Sequence, residues 1–204
     1  MRILSALLLV STGLIAGWQG FTASRKRGES HEPASGQAWV DPTRVLTCVR
    51  DLLLILSLVL VLSVVISPGL VLDSASELGF PLDSAVQTLG VVLIASGSIL
   101  AAWAFGTLGE FAMERIVLVK NHRLVQTGPY RLVRHPLYGS TVLIGLGLFL
   151  LYLNIVLLVL YLPVFVINSY RAEVEEKLLS SPEGFGTRYV EYRERTRRFI
   201  PYLL

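Results

Sequence analysis

The fold is decided by one uninterrupted apolar stretch, PLYGSTVLIGLGLFLLYLNIVLLVLYLPVFVINSY, which runs from Pro136 to Tyr170 and carries no charged residue over 35 positions. As a single helix it would measure about 52 Å, far longer than the roughly 30 Å hydrocarbon core of a membrane. Two short helices folded back on each other near Tyr152-Leu153-Asn154 would fit that thickness instead. The charges on either side of the stretch can decide between these alternatives.

The composition of the whole chain indicates a membrane protein. Of its 204 residues 53% are hydrophobic and only 16% are charged, and the mean hydropathy is +0.62. A soluble domain carries roughly 25% charge. Cys48 is the only cysteine, which excludes a disulfide within the chain and a cysteine-rich metal site. The three histidines lack the spacing of metal ligands, so we expect no metal.

Three further spans are predicted before this stretch. The first is Ile3 to Ser24, for which a secretory signal peptide is the alternative; the length of its apolar run and the lack of a clear cleavage site favour a span. The second runs from about Val45 to Ile66, with Arg50 and Asp51 in its first turns, and we expect these two to pair while Arg50 extends outward to the membrane surface. The third runs from about Ser84 to Gly109. Its small residues favour close helix–helix packing and are Ala95, Gly97, Ala101, Ala102 and Gly106.

The distribution of basic residues favours the hairpin. Three segments are rich in Lys and Arg, namely 19–44, 110–135 and the tail after Tyr170, whereas the loop from Pro68 to Asp83 has neither. The positive-inside rule places all three basic segments in the cytoplasm. Five spans with the N-terminus outside satisfy that rule, whereas four spans would put the basic tail on the wrong side. The chain is therefore predicted to be an all-α, multi-pass integral membrane protein with about five transmembrane helices.

An amphipathic helix is predicted in the cytoplasmic tail. Aromatic and small residues recur there at spacings of three and four, with arginines between them and Pro201 at the end; they are Phe185, Tyr189, Tyr192, Thr196 and Phe199. A helix lying on anionic lipid is the simplest interpretation of this pattern.

Two polar segments should meet at the cytoplasmic edge, because the two ends of a hairpin leave the membrane side by side. One is HRLVQTGPYRLVRHPLY, residues 122–138, and the other is RAEVEEKLL, residues 171–179. Pro129 and Pro136 disfavour helix before them, so we expect an ordered extended loop whose backbone groups are available to a ligand. Carboxylate, arginine, histidine and tyrosine side chains at this place indicate a polar cofactor beside an apolar substrate.

Simpler interpretations of these charges stay open. Arg171 and Glu175 are four residues apart on one helix face and can form an ordinary ion pair, or Glu175 can face the arginines of the first segment. Arg131 and Arg134 can anchor lipid headgroups. Headgroup anchoring does not account for the prolines and tyrosines interleaved with those arginines.

HRLVQTGPYRLVRHPLY, followed by a hairpin, RAEVEE, FGTRYVEY and RRFIP, resembles the isoprenylcysteine carboxyl methyltransferase family and its phospholipid methyltransferase relatives, over about Arg115 to Pro201. The resemblance implies S-adenosylmethionine as cofactor and methyl donor. It implies that Arg171 faces the substrate, and we count Arg134 with it as catalytic. The cofactor contacts that it implies are His122, Arg123, Leu124, Val125, Tyr130, His135, Pro136, Leu137, Tyr138 and Glu175.

The resemblance divides the chain into three N-terminal transmembrane helices with a basic cytoplasmic loop, 1–109, and a methyltransferase-like region, 110–204. The expected partners are membrane lipids and a lipophilic methyl acceptor that enters from the bilayer, such as an isoprenylcysteine carboxylate or a lipid, with no nucleic acid. Two alternatives are an NADPH-dependent membrane sterol or steroid reductase, which shares an R-H-x-x-Y-like segment, and a non-catalytic lipid-binding membrane protein. The oligomeric state is not predicted.

Overall fold

The computed structural model describes residues 41–66, 83–111 and 123–200, and within these ranges the secondary structure is helical. Its α-helices are α1 (Arg44–Ile66), α2 (Asp83–Leu108), α3 (Pro136–Tyr152), α4 (Ile155–Ser180) and α5 (Thr187–Arg195). Short 3-10 turns cover Gly109–Phe111 and Gly128–Arg131. The predicted first span, Ile3 to Ser24, lies outside the described residues.

Three of the described helices, α1, α2 and α4, are long and apolar enough to cross a membrane. Helix α3 is apolar but has 17 residues, which corresponds to about 26 Å. The second and third predicted spans therefore coincide with helices α1 and α2. The structure contains no membrane, so the count of five spans and their orientation stay predictions.

The hairpin predicted near Tyr152-Leu153-Asn154 is confirmed. Leu153 adopts a left-handed conformation with φ 49°, and its amide donates to the Phe149 carbonyl at 2.7 Å. Asn154 then begins α4, because its side-chain oxygen accepts from the Val156 amide at 2.9 Å. A short polar side chain that caps the first turn is the usual start of a helix. The turn at Leu153 thus ends α3, and the Asn154 cap begins α4.

Helices α2 and α3 approach each other through glycine. A Cβ built on Gly147 would lie 2.7 Å from the Gly90 carbonyl oxygen, and one on Gly97 would lie 2.9 Å from the Ser140 carbonyl oxygen. The predicted role of Gly97 in close packing is confirmed, and Gly90 joins it. Gly106, which was predicted with them, has no neighbour within 4 Å of a Cβ in the described structure.

Replacing Gly147 with alanine should therefore destabilise the protein. The added methyl group meets backbone atoms of α2 that cannot rotate away, and overpacking of this kind costs about 1–3 kcal/mol. Gly106→Ala is the matched control, because it adds the same methyl group to an open position of α2. Thermal unfolding in detergent should show a lower midpoint for Gly147→Ala and an unchanged or slightly higher one for Gly106→Ala. Equal midpoints would contradict the close approach of the two helices.

The tail departs from the prediction of a helix ended by Pro201. Helix α5 ends at Arg195, and the chain continues in extended form so that Arg197 forms an isolated parallel bridge with Val133. Tyr189, Tyr192 and Thr196 of the predicted stripe are buried. These three residues of the stripe therefore pack against the protein, and the helix ends six residues before Pro201.

Candidate active site

The loop before α3 is ordered by a turn and by the C-terminal segment that follows α4, residues 185–200, which is called the tail from here on. Pro129 is the second residue of the 3-10 turn Gly128–Arg131, and Pro136 is the first residue of α3, where the missing amide hydrogen costs nothing. Between them, the amides of Arg134 and His135 donate to the carbonyls of Arg197 and Arg198 at 2.8 and 3.0 Å. The expectation that the backbone groups of this loop are available to a ligand is therefore wrong at these two amides, because the tail occupies them.

His135, Tyr138 and Glu175 form a cluster between the first turn of α3 and the C-terminal part of α4. The Tyr138 hydroxyl donates to Glu175 Oε2 at 3.3 Å, and His135 Nδ1 lies 3.7 Å from the same oxygen. The imidazole and phenol rings stack with their centroids 5.4 Å apart. Glu175 keeps 34% of its side-chain exposure, whereas His135 keeps 5%. The cluster thus presents one accessible carboxylate beside a rigid aromatic pair.

The neighbouring carboxylate, Glu176, has a different environment. Its side chain is 4% exposed and accepts hydrogen bonds from Arg134 at 2.9 Å and from Arg198 at 3.0 Å. His135 Nε2 lies 3.2 Å from its Oε1. Arg134 also donates to the carbonyls of Arg193 and Thr196. Glu176 and Arg134 therefore join α4, the loop before α3 and the tail, while the catalytic role of Arg134 stays a prediction.

Arg171 is buried at 2% exposure and points to the start of α1. Its Nη1 donates to Thr43 Oγ1 at 2.8 Å and also to Thr47 Oγ1, and it lies 3.9 Å from Asp41 Oδ2. The guanidinium is also a neighbour of Tyr138. Arg171 thus contacts the start of α1, whereas Glu175 contacts Tyr138 and His135. The contacts described for Arg171 and Glu175 do not match the alternative of a simple ion pair between these two residues.

The pair predicted at Arg50 and Asp51 forms, with 2.7 Å between Arg50 Nη2 and Asp51 Oδ1. Arg50 keeps only 14% of its side-chain exposure. The side chain therefore lies against the protein, and its extension to the membrane surface stays a prediction.

Three tyrosines form an apolar wall behind the loop. Tyr130, Tyr189 and Tyr192 are buried, and the Tyr192 hydroxyl donates to the Tyr130 carbonyl at 2.6 Å. Burial raises the pKa of Tyr192 from 10.0 to about 12, and burial likewise raises the pKa of Tyr130 and of Tyr189 above the ordinary value. All three phenols therefore stay neutral at physiological pH, and they add no charge beside the loop.

A cavity of about 620 Å³ opens between the end of α2 and residues 123–127. Thr107, Leu108 and Phe111 line one side, and Arg123, Leu124 and Val125 line the other. Residues 123–127 lead directly into the turn that carries Tyr130, whose pKa is raised by burial and by the Glu175 carboxylate.

The predicted cofactor residues fall into two groups. Arg123, Leu124 and Val125 line the cavity, whereas those at and around the cluster are Tyr130, His135, Pro136, Leu137, Tyr138 and Glu175. His122 lies outside the described residues. The part of each in binding a cofactor stays a prediction.

The sequence did not indicate several side chains that support this site. Thr43 and Thr47 hold Arg171 across more than 120 positions, and no local pattern connects them to it. Glu176 was visible as half of an acidic pair, but only the fold separates its role from that of Glu175. Arg198 belonged to a run of basic residues in which nothing distinguished one from the next.

Comparison with known proteins identifies the region that contains the site. Residues 85–182 match the family model described as phospholipid methyltransferase. The match begins within α2, earlier than the resemblance at Arg115, and it ends before α5.

Three relatives are similar over 121 residues. Protein-S-isoprenylcysteine O-methyltransferase of Saccharomyces cerevisiae is 35% identical, and the match covers 56% of this chain and 48% of that protein. The A and B proteins of the same name from Arabidopsis thaliana are 30% and 27% identical, and each match covers 58% of this chain and 60% of the relative. The chain thus spans about half to three fifths of the length of these relatives.

The family match includes the loop before α3, the hairpin and the acidic pair. The resemblance found in the sequence is therefore confirmed: residues 85–182 are similar to the phospholipid methyltransferase family, and the chain is similar to proteins named protein-S-isoprenylcysteine O-methyltransferase.

Proposed function

We propose that this protein is an integral membrane methyltransferase that uses S-adenosylmethionine and acts on a lipophilic acceptor, with the carboxylate of an isoprenylcysteine as the first candidate. The observation that carries the proposal is the cluster of His135, Tyr138 and Glu175, which lies within the family-matched region and next to the loop that borders the cavity. The names of the relatives suggest the acceptor.

The residues present fit S-adenosylmethionine. This cofactor supplies an electrophilic methyl group on a positively charged sulfur. Glu175 offers a partly exposed carboxylate to balance that charge, and the stacked ring of Tyr138 offers an aromatic face. Leu124 and Val125 give the cavity an apolar side. We propose that the residues predicted from the sequence hold the cofactor, namely His122, Arg123, Leu124, Val125, Tyr130, His135, Pro136, Leu137, Tyr138 and Glu175.

The part of the protein in the reaction is to bind, align and exclude water. A carboxylate acceptor is already ionised at neutral pH, so the protein needs no general base. Arg171 presents a planar guanidinium that can hold such a carboxylate in a fixed orientation, and alignment of two reacting groups can supply much of the rate enhancement. Arg134, the other predicted catalytic residue, would act at the edge of the site that faces the tail.

A phospholipid amine is the second candidate acceptor, because the matched family carries that description. An amine must lose a proton to react. His135 and Glu175, 3.7 Å apart, would supply the base for that step.

The proposed orientation follows from the charges. The tail and the loop before α3 are arginine-rich, which favours a cytoplasmic site. Helices α1 and α4 expose large apolar side chains along their length, and this favours lipid contact and the entry of the acceptor from the bilayer.

The proposal is tested by methyl transfer in liposomes that contain the purified protein and a donor with a radiolabelled methyl group. S-farnesylcysteine, its methyl ester and phosphatidylethanolamine are the acceptors. We expect base-labile label on S-farnesylcysteine and none on the ester, which has no free carboxylate. Base-stable label on phosphatidylethanolamine alone would identify the amine acceptor. Folded protein that labels none of them would contradict the proposal.

A further inference from the structure

We propose that Asp41, Thr43 and Thr47, which precede the family-matched region, form a clamp that positions the Arg171 guanidinium for the methyl acceptor. The inference rests on the proposed function, and it assigns a role in the reaction to the N-terminal end of α1. Residues 41–47 lie outside the matched residues 85–182, and they are 124 or more positions from Arg171 in the chain.

The hydrogen-bond directions within the clamp are determined by its geometry. Asp41 Oδ1 accepts from the Thr43 amide at 2.8 Å and from the Thr43 hydroxyl at 2.6 Å. The Thr47 hydroxyl donates to the Thr43 carbonyl at 3.0 Å. Because each hydroxyl hydrogen is already donated, each Oγ1 faces Arg171 with its lone pairs. Both oxygens can then accept from Nη1, which they do.

This arrangement restrains the rotation of the guanidinium. Two acceptors on one nitrogen define the direction of that Nη1, and the carboxylate of Asp41 at 3.9 Å adds an attraction of opposite charge. Thr43 is fully buried and Arg171 is 2% exposed, so water cannot substitute for the hydroxyls. A substrate-facing arginine needs such support, because a site is effective only when its side chains are held in their productive geometry.

The clamp also faces the proposed site. Arg171 is a neighbour of Tyr138, whose hydroxyl donates to Glu175. The guanidinium therefore lies between the start of α1 on one side and the predicted cofactor cluster on the other. An acceptor carboxylate held there would be next to the cluster, which is the position that methyl transfer requires.

The test compares Thr43→Val with Thr43→Ser in the full chain. Valine keeps the shape of threonine but removes the hydroxyl, whereas serine keeps the hydroxyl. We expect Thr43→Val to lower kcat for S-farnesylcysteine about 10-fold or more, because small misplacement of an aligning group is costly. Its Kd for S-adenosylhomocysteine should stay within about 2-fold of wild type, and Thr43→Ser should recover most of kcat. Thr88→Val, which removes an exposed hydroxyl bonded within α2, is the matched control.

A second readout does not depend on turnover. Nitrogen NMR of arginine-labelled protein should give separate Nη signals for Arg171, assigned by their loss in Arg171→Lys, because the clamp slows rotation about the Nε–Cζ bond. In Thr43→Val this rotation should become faster, and the two Nη signals of Arg171 should merge into one. If Thr43→Val does not fold, Thr47→Val removes the other acceptor and carries the same test.

Full activity in Thr43→Val, or a Thr43→Ser variant as impaired as Thr43→Val, would overturn the clamp. A parallel loss of S-adenosylhomocysteine binding and kcat would also overturn it, since that indicates a merely structural role. Failure of the proposed function is distinguishable, because then the wild-type protein itself transfers no methyl group to any acceptor.

Discussion

Glu176→Ala is expected to lower the unfolding midpoint by about 10 °C. The substitution leaves Arg134, Arg198 and His135 facing one another without the carboxylate that they share. Removing one partner of a buried ion pair costs about 3–5 kcal/mol, and each kcal/mol shifts the midpoint of a protein of this size by about 2–4 °C. Thermal unfolding of the detergent-purified variant measures the effect.

The same substitution should release the tail. Glu176 holds Arg198 directly and holds Arg134, which in turn binds two tail carbonyls. Trypsin should therefore cleave at Arg197 and Arg198 faster in Glu176→Ala than in wild type. Glu173→Ala is the matched control, because Glu173 lies on the same helix and pairs only with Lys177 at the surface among the contacts described. Its midpoint should stay within about 2 °C of wild type, and an equal loss in both variants would contradict the account.

Arg171→Lys is expected to lower kcat about 100-fold while leaving the binding of S-adenosylhomocysteine within about 3-fold of wild type. Lysine keeps the positive charge but lacks the planar fork that can hold both the threonines of α1 and an acceptor carboxylate. Misplacement of an aligning group by about 1 Å is enough for an effect of this size. Steady-state methyl transfer to S-farnesylcysteine and calorimetric titration measure the two quantities.

Arg188→Lys is the matched control for this substitution, since Arg188 is an exposed arginine on α5. It should retain wild-type kcat. Wild-type turnover in Arg171→Lys would remove Arg171 from the reaction. Arg134→Lys tests the other predicted catalytic residue when its kcat and its binding of S-adenosylhomocysteine are measured in the same way.

The hairpin and the meeting of the two polar segments could be predicted because both follow from local quantities. Helix length per residue, membrane thickness and the positions of arginines limit 136–170 to a hairpin. A hairpin necessarily brings its two ends together, which placed His135 and Tyr138 beside Glu175. The turn at Leu153 and Asn154 lies where the prediction put it.

Contacts between distant parts of the chain could not be predicted, because a single sequence contains no local signal for them. The threonines at the start of α1 look like ordinary polar residues at a helix end until Arg171 is placed against them. The amphipathic stripe of the tail correctly marked Tyr189 and Tyr192 as one face, but periodicity does not say whether lipid or protein covers that face. Here Tyr130 and the loop before α3 cover that face. Beyond α5 the tail is extended and pairs with the same loop.

Cofactor binding is the central claim, and calorimetric titration of the detergent-purified protein with S-adenosylhomocysteine tests it most directly. NADPH is titrated in parallel, and Glu175→Ala and Glu173→Ala serve as the paired variants. The account predicts micromolar binding of S-adenosylhomocysteine to wild type and to Glu173→Ala, loss of that binding in Glu175→Ala, and no binding of NADPH. Binding of NADPH alone, or a folded protein that binds neither compound, would contradict it.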